Sequence, residues 1–196
     1  MKNIPALDSK VLDLVTEISK EPKVEAAMAF IKDQTEVAMQ EQIELCEIEA
    51  PTFHEEKRAA SVAERMKQYG LTDVHIDEIG NVIGIRKGTG SGPVLAIGAH
   101  MDSVFPAGTD VKVKKEGNIY RAPGIGDNCS GLRALLQVLR AMEKEDIRTV
   151  GDIWFVGTVG EEGNGDIRGS KHLCANNKLD GFVAIDSTDV GRVLYG

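Results

Sequence analysis

The segment from Ile153 to Val159 limits the folds open to this chain more than any other stretch. It is an almost continuous apolar run, and a strand of this kind is stable only when both of its faces are covered. Phe182 to Ile185 has the same character, so we expect a second buried strand there. Helical patterns flank these runs at about residues 129–144 and 168–176. This alternation predicts a layered α/β fold.

The first third of the chain has a different pattern. Residues 8–48 have helical periodicity, and we expect Pro22 in the first turn of the longer helix, where proline is tolerated. Thr52 and Glu55 have the spacing of a capping box and predict the start of another helix, which Gly70 would end. Short strands are then expected at residues 74–76, 82–85 and 94–97, a hairpin at 111–121 and a further strand at 191–195.

Composition excludes several classes of function. The 23 basic and 31 acidic residues give a net charge of −8, which argues against a nucleic-acid partner because phosphate binding needs clustered Lys and Arg. No apolar stretch is as long as a membrane span, and the first residues lack a signal-peptide pattern. Cys46, Cys129 and Cys174 are far apart and predict free thiols, so we expect a cytoplasmic location and no membrane partner.

Acidic and histidine side chains follow the predicted strands at the point where each strand ends. The run that begins at Leu95 ends in His100-Met-Asp102. The strand at 153–159 is followed by Glu161 and Glu162, and the strand at 182–185 by Asp186. Ligands of open α/β sheets bind beyond the carboxyl ends of the strands. We therefore expect these side chains to share one cleft.

Asp127 lies in a glycine-rich turn, Pro123-Gly-Ile-Gly-Asp-Asn, directly before a predicted helix, and is expected to join them. So many carboxylates in one cleft would repel one another unless a cation were present. An imidazole with carboxylates suits zinc, with cobalt or manganese as alternatives. Taken singly, each residue has an ordinary explanation as well: Asp127 as a helix N-cap, Asp186 as a strand-end acid and the glutamate pair as solvated surface.

Three motifs together resemble one family of zinc exopeptidases. They are Gly98-Ala-His100-Met-Asp102-Ser-Val-Phe-Pro, Gly124-Ile-Gly-Asp127-Asn-Cys-Ser-Gly131 and Gly160-Glu161-Glu162-Gly. The family includes peptidase T, carboxypeptidase G, aminoacylase and acetylornithine deacetylase. The resemblance implies a three-layer α/β/α fold of the phosphorylase/hydrolase-like zinc peptidase type, with a mostly parallel central sheet. It covers roughly residues 40–196.

The resemblance also implies roles for the matching positions. The metal ligands would be His100, Asp127, Glu162 and Asp186, with Asp127 bridging two zinc ions. Asp102 would orient His100, and Glu161 would be the general base that later protonates the leaving amine. The Asp127–Asn128 peptide would be cis.

Several functions remain open within this resemblance. An aspartate at position 186 favours an aminopeptidase or tripeptidase similar to peptidase T, acting on small peptides. An N-acyl amino acid deacylase or a carboxypeptidase is the alternative. A hypothesis of another class is a non-catalytic fragment or interaction subdomain.

Family members are roughly twice as long as this chain, which is expected to be a partial catalytic domain with a helical segment at 1–50 and an α/β metal-site segment at 51–196. The lid domain and the C-terminal part, with a last histidine ligand, would be absent. His54, His75 and His172 are poor substitutes by their positions. We therefore expect weak or no activity from the chain alone, and possible self-association through an exposed sheet edge.

Overall fold

The computed structural model describes residues 8–187. Its helices are α1 Ser9–Ser19, α2 Pro22–Asp33, α3 Thr35–Cys46, α4 Glu56–Gln68, α5 Cys129–Lys144 and α6 Arg168–Asn176. Its strands are β1 Asp73–Ile76, β2 Val82–Arg86, β3 Leu95–His100, β4 Lys114–Glu116, β5 Ile119–Arg121, β6 Ile153–Thr158 and β7 Gly181–Ala184. The strand predicted at 191–195 lies outside the described residues.

Five strands form one mixed sheet in the order β1-β2-β6-β3-β7. Strand β3 lies between β6 and β7 and pairs in parallel with both. Strands β1 and β2 continue the sheet in antiparallel orientation. The carboxyl ends of β3, β6 and β7 therefore meet at the same edge. Strands β4 and β5 form the hairpin predicted at 111–121 as a separate two-stranded sheet.

Helices cover both faces of the sheet, which confirms the three-layer α/β/α prediction. On one face, apolar residues of α3, α4 and α5, among them Leu45, Val62 and Leu135, pack with Phe155 of β6 in the larger core. On the other face, Leu173 of α6 packs against Val156 and its neighbours. Successive strand residues point to opposite faces, which is why β6 needs apolar side chains throughout.

Two local predictions were wrong. Thr52 and Glu55 do not form a capping box, because α4 begins at Glu56 and its N-cap residue, Glu55, makes no side-chain cap hydrogen bond. Strand β7 is not buried: it lies at the edge of the sheet, and Val183 is 50% exposed. The apolar run correctly predicted a strand, but its burial depends on neighbours that a sequence pattern does not specify. No helix among residues 8–187 is long and apolar enough to cross a membrane.

Candidate active site

The site is built around His100 at the carboxyl end of β3. Its imidazole is almost fully buried, with a side chain that is 3% exposed. Nδ1 lies 3.1 Å from the backbone carbonyl oxygen of Asp102 and 3.4 Å from the carboxylate oxygen Oδ1 of the same residue. A proton on Nδ1 satisfies both acceptors and leaves the lone pair on Nε2. In metal-binding histidines, the partner of the second nitrogen sets the tautomer in the same way.

The carboxylates predicted from the sequence surround Nε2 of His100. Asp127 Oδ1 lies 3.0 Å from Nε2, Asp186 Oδ1 lies 3.6 Å away and Glu161 Oε2 lies 3.9 Å away. Glu162 belongs to the same group, since one of its carboxylate oxygens lies within 4.8 Å of a ring nitrogen of His100 and of a carboxylate oxygen of Glu161. Segments that are far apart in the sequence are thus brought together at one point.

Asp127 reaches the site from the turn before α5. The N-cap of that helix is its neighbour Asn128, whose Oδ1 accepts the N–H of Gly131 at 3.0 Å. Asp127 is therefore free of the capping role that the sequence left open. The Asp127–Asn128 peptide bond is cis, as the resemblance implied. Asn128 Nδ2 also donates to the carbonyl of Ile185 at 2.9 Å, which ties this turn to the segment that carries Asp186.

Asp102 does more than orient the histidine. Its carboxylate is completely buried and accepts the backbone N–H groups of Glu161 and Glu162 at 2.9 and 3.0 Å. The hydroxyl of Thr52 donates to Oδ2 at 2.9 Å. One side chain therefore holds both the imidazole and the backbone of the two glutamates.

The electrostatics follow from this crowding. Burial disfavours the imidazolium of His100, but the hydrogen bond and charge of Asp102, together with the charges of Asp186 and Glu161, raise its pKa to about 9. Burial likewise disfavours ionised Asp102, yet His100, the two backbone amides and Thr52 lower its pKa to about 2. Burial raises the pKa of Glu161 and of Glu162, and neighbouring carboxylates raise both further.

This set of donors fits a divalent cation. One imidazole nitrogen and four carboxylates converge, and two overlapping groups of three can each hold an ion: His100 with Asp127 and Asp186, and His100 with Glu161 and Glu162. Burial is the main cause of the raised pKa values of the two glutamates and the neighbouring carboxylates add to it; a cation would favour the ionised forms against both effects. Nitrogen and oxygen donors of this kind suit zinc, cobalt or manganese.

Residues 96–192 match Peptidase family M20/M25/M40. Over that segment the chain is similar to this peptidase family. A tripeptidase from Staphylococcus aureus superposes with a TM-score of 0.64 and 31% identity, over 78% of this chain and 43% of that one. Aminopeptidase PepT from Bacillus cereus gives a TM-score of 0.67 and 25% identity, over 79% and 44%.

Among curated relatives, a putative [LysW]-lysine/[LysW]-ornithine hydrolase of Pyrococcus abyssi is 35% identical over 120 residues. The match covers 61% of this chain and 32% of that protein. The chain thus spans about a third of the length of this relative and less than half of the two solved structures. These peptidase-family relatives confirm the family that the motifs predicted.

The other histidines lie outside the group. His172 Nε2 contacts Glu78 Oε1 at 2.9 Å, and His75 lies 3.7 Å from Asp73. His54 is exposed and belongs to no cluster of possible ligands in residues 8–187. His172, Glu78 and Asp77 form a separate group, but Asp77 already accepts three backbone N–H groups and the side-chain amide of Asn81.

Thr52 and Arg58 support the candidate site, a role that was not predicted for them from the sequence. Thr52, described above, gave no local signal, because its partner Asp102 is 50 residues away. Arg58 is 1% exposed and donates to the carbonyl of Met101, between His100 and Asp102, at 2.6 Å. Arg58 did give a signal: it lies four residues before Val62, on the apolar face of α4, where a charged residue needs buried partners.

A cleft of about 320 Å³ lies beside Glu162. Three of its residues are exposed and apolar: Phe53, Val104 and Phe105. Phe53 also has a positive φ of 75°, which is unusual for a residue with a bulky side chain. The cleft offers apolar contact area next to the carboxylates.

Proposed function

We propose that this chain contributes to the hydrolysis of an amide bond at the amino end of small peptides, as an aminopeptidase or tripeptidase that depends on two zinc ions. The observation that carries the proposal is the convergence of carboxylates from separate segments on Nε2 of His100. Carboxylates this close together repel one another unless positive charge compensates them, and divalent ions also provide the Lewis acidity that amide hydrolysis needs. Cobalt or manganese could replace zinc.

The residues would divide the work as follows. His100 and Asp186 would hold one ion, Glu162 would hold the other, and Asp127 would contact both. Glu161 would take a proton from the attacking water and return it to the leaving amine. Its raised pKa brings it closer to neutral pH, where a general base that must also act as an acid is most effective.

The substrate class is supported by the cleft beside Glu162 and by the two similar structures. Apolar side chains of a short peptide would find contacts at Phe53, Val104 and Phe105. The similar proteins from Staphylococcus aureus and Bacillus cereus are a tripeptidase and an aminopeptidase. A second candidate is hydrolysis of an N-acyl amino acid, which the name of the Pyrococcus relative favours, since it is a hydrolase of [LysW]-lysine or [LysW]-ornithine.

The test is a substrate panel of dipeptides, tripeptides and N-acyl amino acids, offered to the purified chain with zinc, cobalt or manganese. Because the chain alone is expected to be only weakly active, we expect slow release of the amino-terminal residue from short peptides, with loss of nearly all of that activity in Glu161→Gln and little change in its metal content. Glu17→Gln, on the exposed helix α1, is the matched control and should retain full activity. Exclusive cleavage of the acyl compounds would favour the second candidate, and activity that survives Glu161→Gln would contradict both.

We also propose a cytoplasmic location, because Cys46, Cys129 and Cys174 are free thiols and thiols persist in reducing compartments. Self-association through the sheet edge stays a prediction as well. Strand β7 is at that edge, and light scattering of the purified chain would test it.

A further inference from the structure

We propose that Glu55 and Arg168 are positioning residues, which hold the backbone of Gly160 to Glu162 so that the two glutamate side chains project into the site. Neither residue contacts the candidate metal ligands directly through its own charged group. They contact the backbone of the loop formed by Gly160, Glu161 and Glu162, rather than the glutamate side chains. For its catalytic consequence the inference rests on the proposed function, but the structural claim can be tested without any activity.

Four consecutive backbone N–H groups, those of residues 159–162, all donate to side chains rather than to other backbone carbonyls. The acceptors, in chain order, are Asn81 Oδ1 at 3.1 Å, Glu55 Oε1 at 2.9 Å, Asp102 Oδ1 at 2.9 Å and Asp102 Oδ2 at 3.0 Å. Amides just beyond a strand are usually left to water or to a turn. In this segment, which carries the proposed base, each of the four donors has a buried side-chain acceptor.

The carbonyls of the same segment are held as well. The backbone N–H of Gly169 donates to the carbonyl of Val159 at 2.9 Å, and that of Arg168 donates to the carbonyl of Gly160 at 3.1 Å. The first residues of α6 thus fix one side of the loop, while Glu55 and Asp102 fix the other. The backbone has little freedom to rotate between them.

Among these acceptors, Glu55 is the one whose role differs from the sequence prediction, because it was expected to cap helix α4. It is 3% exposed, at the start of α4, and both of its oxygens pair with Nη2 of Arg168 at 3.0 and 3.1 Å. Arg168 Nη1 donates to the carbonyl of Ile79 at 2.9 Å, and its guanidinium lies 5.2 Å from the ring centre of Phe53. A buried carboxylate needs such a partner, because an unpaired charge there would be strongly unfavourable.

The ion pair of Glu55 and Arg168 does more than connect two helices, because Oε1 of Glu55 also accepts the N–H of Gly160. Gly160 is the residue directly before Glu161. It has a positive φ of 60°, and a Cβ at this position would collide with the side chain of Arg168. Arg168 therefore packs directly on the backbone that turns from β6 into the glutamate pair.

Hydrogen exchange at individual amides, followed by NMR in chelator-treated protein, tests the structural claim. In Glu55→Gln the amide of Gly160 should exchange at least about tenfold faster, since a carboxylate acceptor is replaced by a weaker neutral one. Amides at the start of β6 should keep their wild-type rates. Arg168→Lys should give a smaller effect at the same amides, because lysine is a single point charge that cannot serve Glu55 and Ile79 together.

The matched control is Glu143→Gln. Glu143 also pairs with a buried arginine, Arg86, but Arg86 lies opposite Ile153 at the other end of β6. This variant should leave the amides of 160–162 unchanged. Faster exchange throughout the sheet in Glu55→Gln, or no change at Gly160, would overturn the inference. If Glu55→Gln fails to fold, Arg168→Lys decides the question by the same comparison.

A kinetic readout follows if the chain is active. Misplacing a base by about 1 Å can cost on the order of 100-fold in rate, so Glu55→Gln should lower kcat by about 10- to 100-fold and change KM by less than about threefold. An equal fall in kcat for Glu143→Gln would indicate general destabilisation instead. Activity that survives Glu161→Gln would contradict the proposed function, and in a chain without activity the exchange experiment would still decide the positioning role.

Discussion

Replacing Asp102 with asparagine should destabilise the protein even before any effect on catalysis is considered. The carboxylate is fully buried, and two backbone amides and the hydroxyl of Thr52 donate to it. Burial opposes its ionisation, but these donors and His100 lower its pKa from 3.8 to about 2. A shift of nearly two units corresponds to roughly 2.5 kcal/mol in favour of the folded state.

Asparagine keeps the shape of the side chain but turns one of the two acceptors into a donor. That –NH₂ group would face the N–H of Glu161 or of Glu162, or the hydroxyl of Thr52. A buried donor without an acceptor costs about 1–3 kcal/mol. Together with the lost charge, we expect Asp102→Asn to lower the free energy of unfolding by about 2–4 kcal/mol at pH 7.

The sign of the pH dependence is fixed by the direction of the shift. Because the folded pKa of Asp102 is lower than the ordinary value, the folded state binds fewer protons than the unfolded chain between about pH 2 and 4. The stabilisation is complete above this window and is lost as the pH falls through it. The difference between wild type and Asp102→Asn should therefore shrink as the pH falls from 4 to 2.

Urea unfolding followed by circular dichroism, in the presence of a chelator, measures this difference from pH 7 downwards. Asp33→Asn, at an exposed position at the end of α2, is the control and should change the free energy of unfolding by less than about 0.5 kcal/mol. A loss of that small size for Asp102→Asn, or a difference that stays constant to pH 2.5, would refute the reasoning.

Three further predictions concern other parts of the chain. Burial raises the pKa of Glu41 despite its hydrogen bond from Tyr69. Wild type should therefore lose stability relative to Glu41→Gln as the pH rises above about 4.5. A difference in the free energy of urea unfolding between the two proteins that stays constant from about pH 4 to 7 would contradict this. The guanidinium of Arg140 lies 5.0 Å from the ring centre of Tyr69 and 5.7 Å from that of Phe30. Arg140→Met should lower the free energy of unfolding by about 1–2 kcal/mol. An unchanged Tm would be inconsistent with a stabilising contact between Arg140 and these rings. On the proposed function, Glu162→Gln should lower the amount of zinc bound relative to wild type by elemental analysis, whereas an unchanged zinc content would exclude Glu162 as a necessary ligand.

Two amphipathic helices in the second half of the chain were predicted from the sequence with accurate bounds. Helix α5 runs from Cys129 to Lys144 and α6 from Arg168 to Asn176, at the positions that their periodicity indicated. These elements are specified locally, because an apolar face repeats over several turns. His100, Glu161, Glu162 and Asp186 could also be predicted as a group, since they follow strands that are defined by apolar runs.

The supporting contacts could not be predicted in this way. Thr52 and Glu55 have the spacing of a capping box, but each has a distant partner instead. The hydroxyl of Thr52 donates to Asp102, 50 residues away, and the carboxylate of Glu55 accepts from the N–H of Gly160, 105 residues away. A local motif competes with such distant partners, and nothing in the spacing decides which one prevails. Strand β7 is a similar case, because Val183 is half exposed at the edge of the sheet.

The candidate site has a rigid part, the backbone of Glu161 and Glu162, and a more exposed part, the side chains of Asp127 and Asp186. The backbone of Glu161 and Glu162 is fixed by buried side chains, so the proposed base is positioned by the protein itself. Asp127 and Asp186 are 57% and 46% exposed, and each lies close to Nε2 of His100. The hydrogen bond and charge of Asp102, with the charges of Asp186 and Glu161, raise the pKa of His100 to about 9, so a proton and a divalent cation compete for Nε2. A cation that displaces the proton would draw in these two exposed carboxylates, while the glutamate backbone would need little rearrangement.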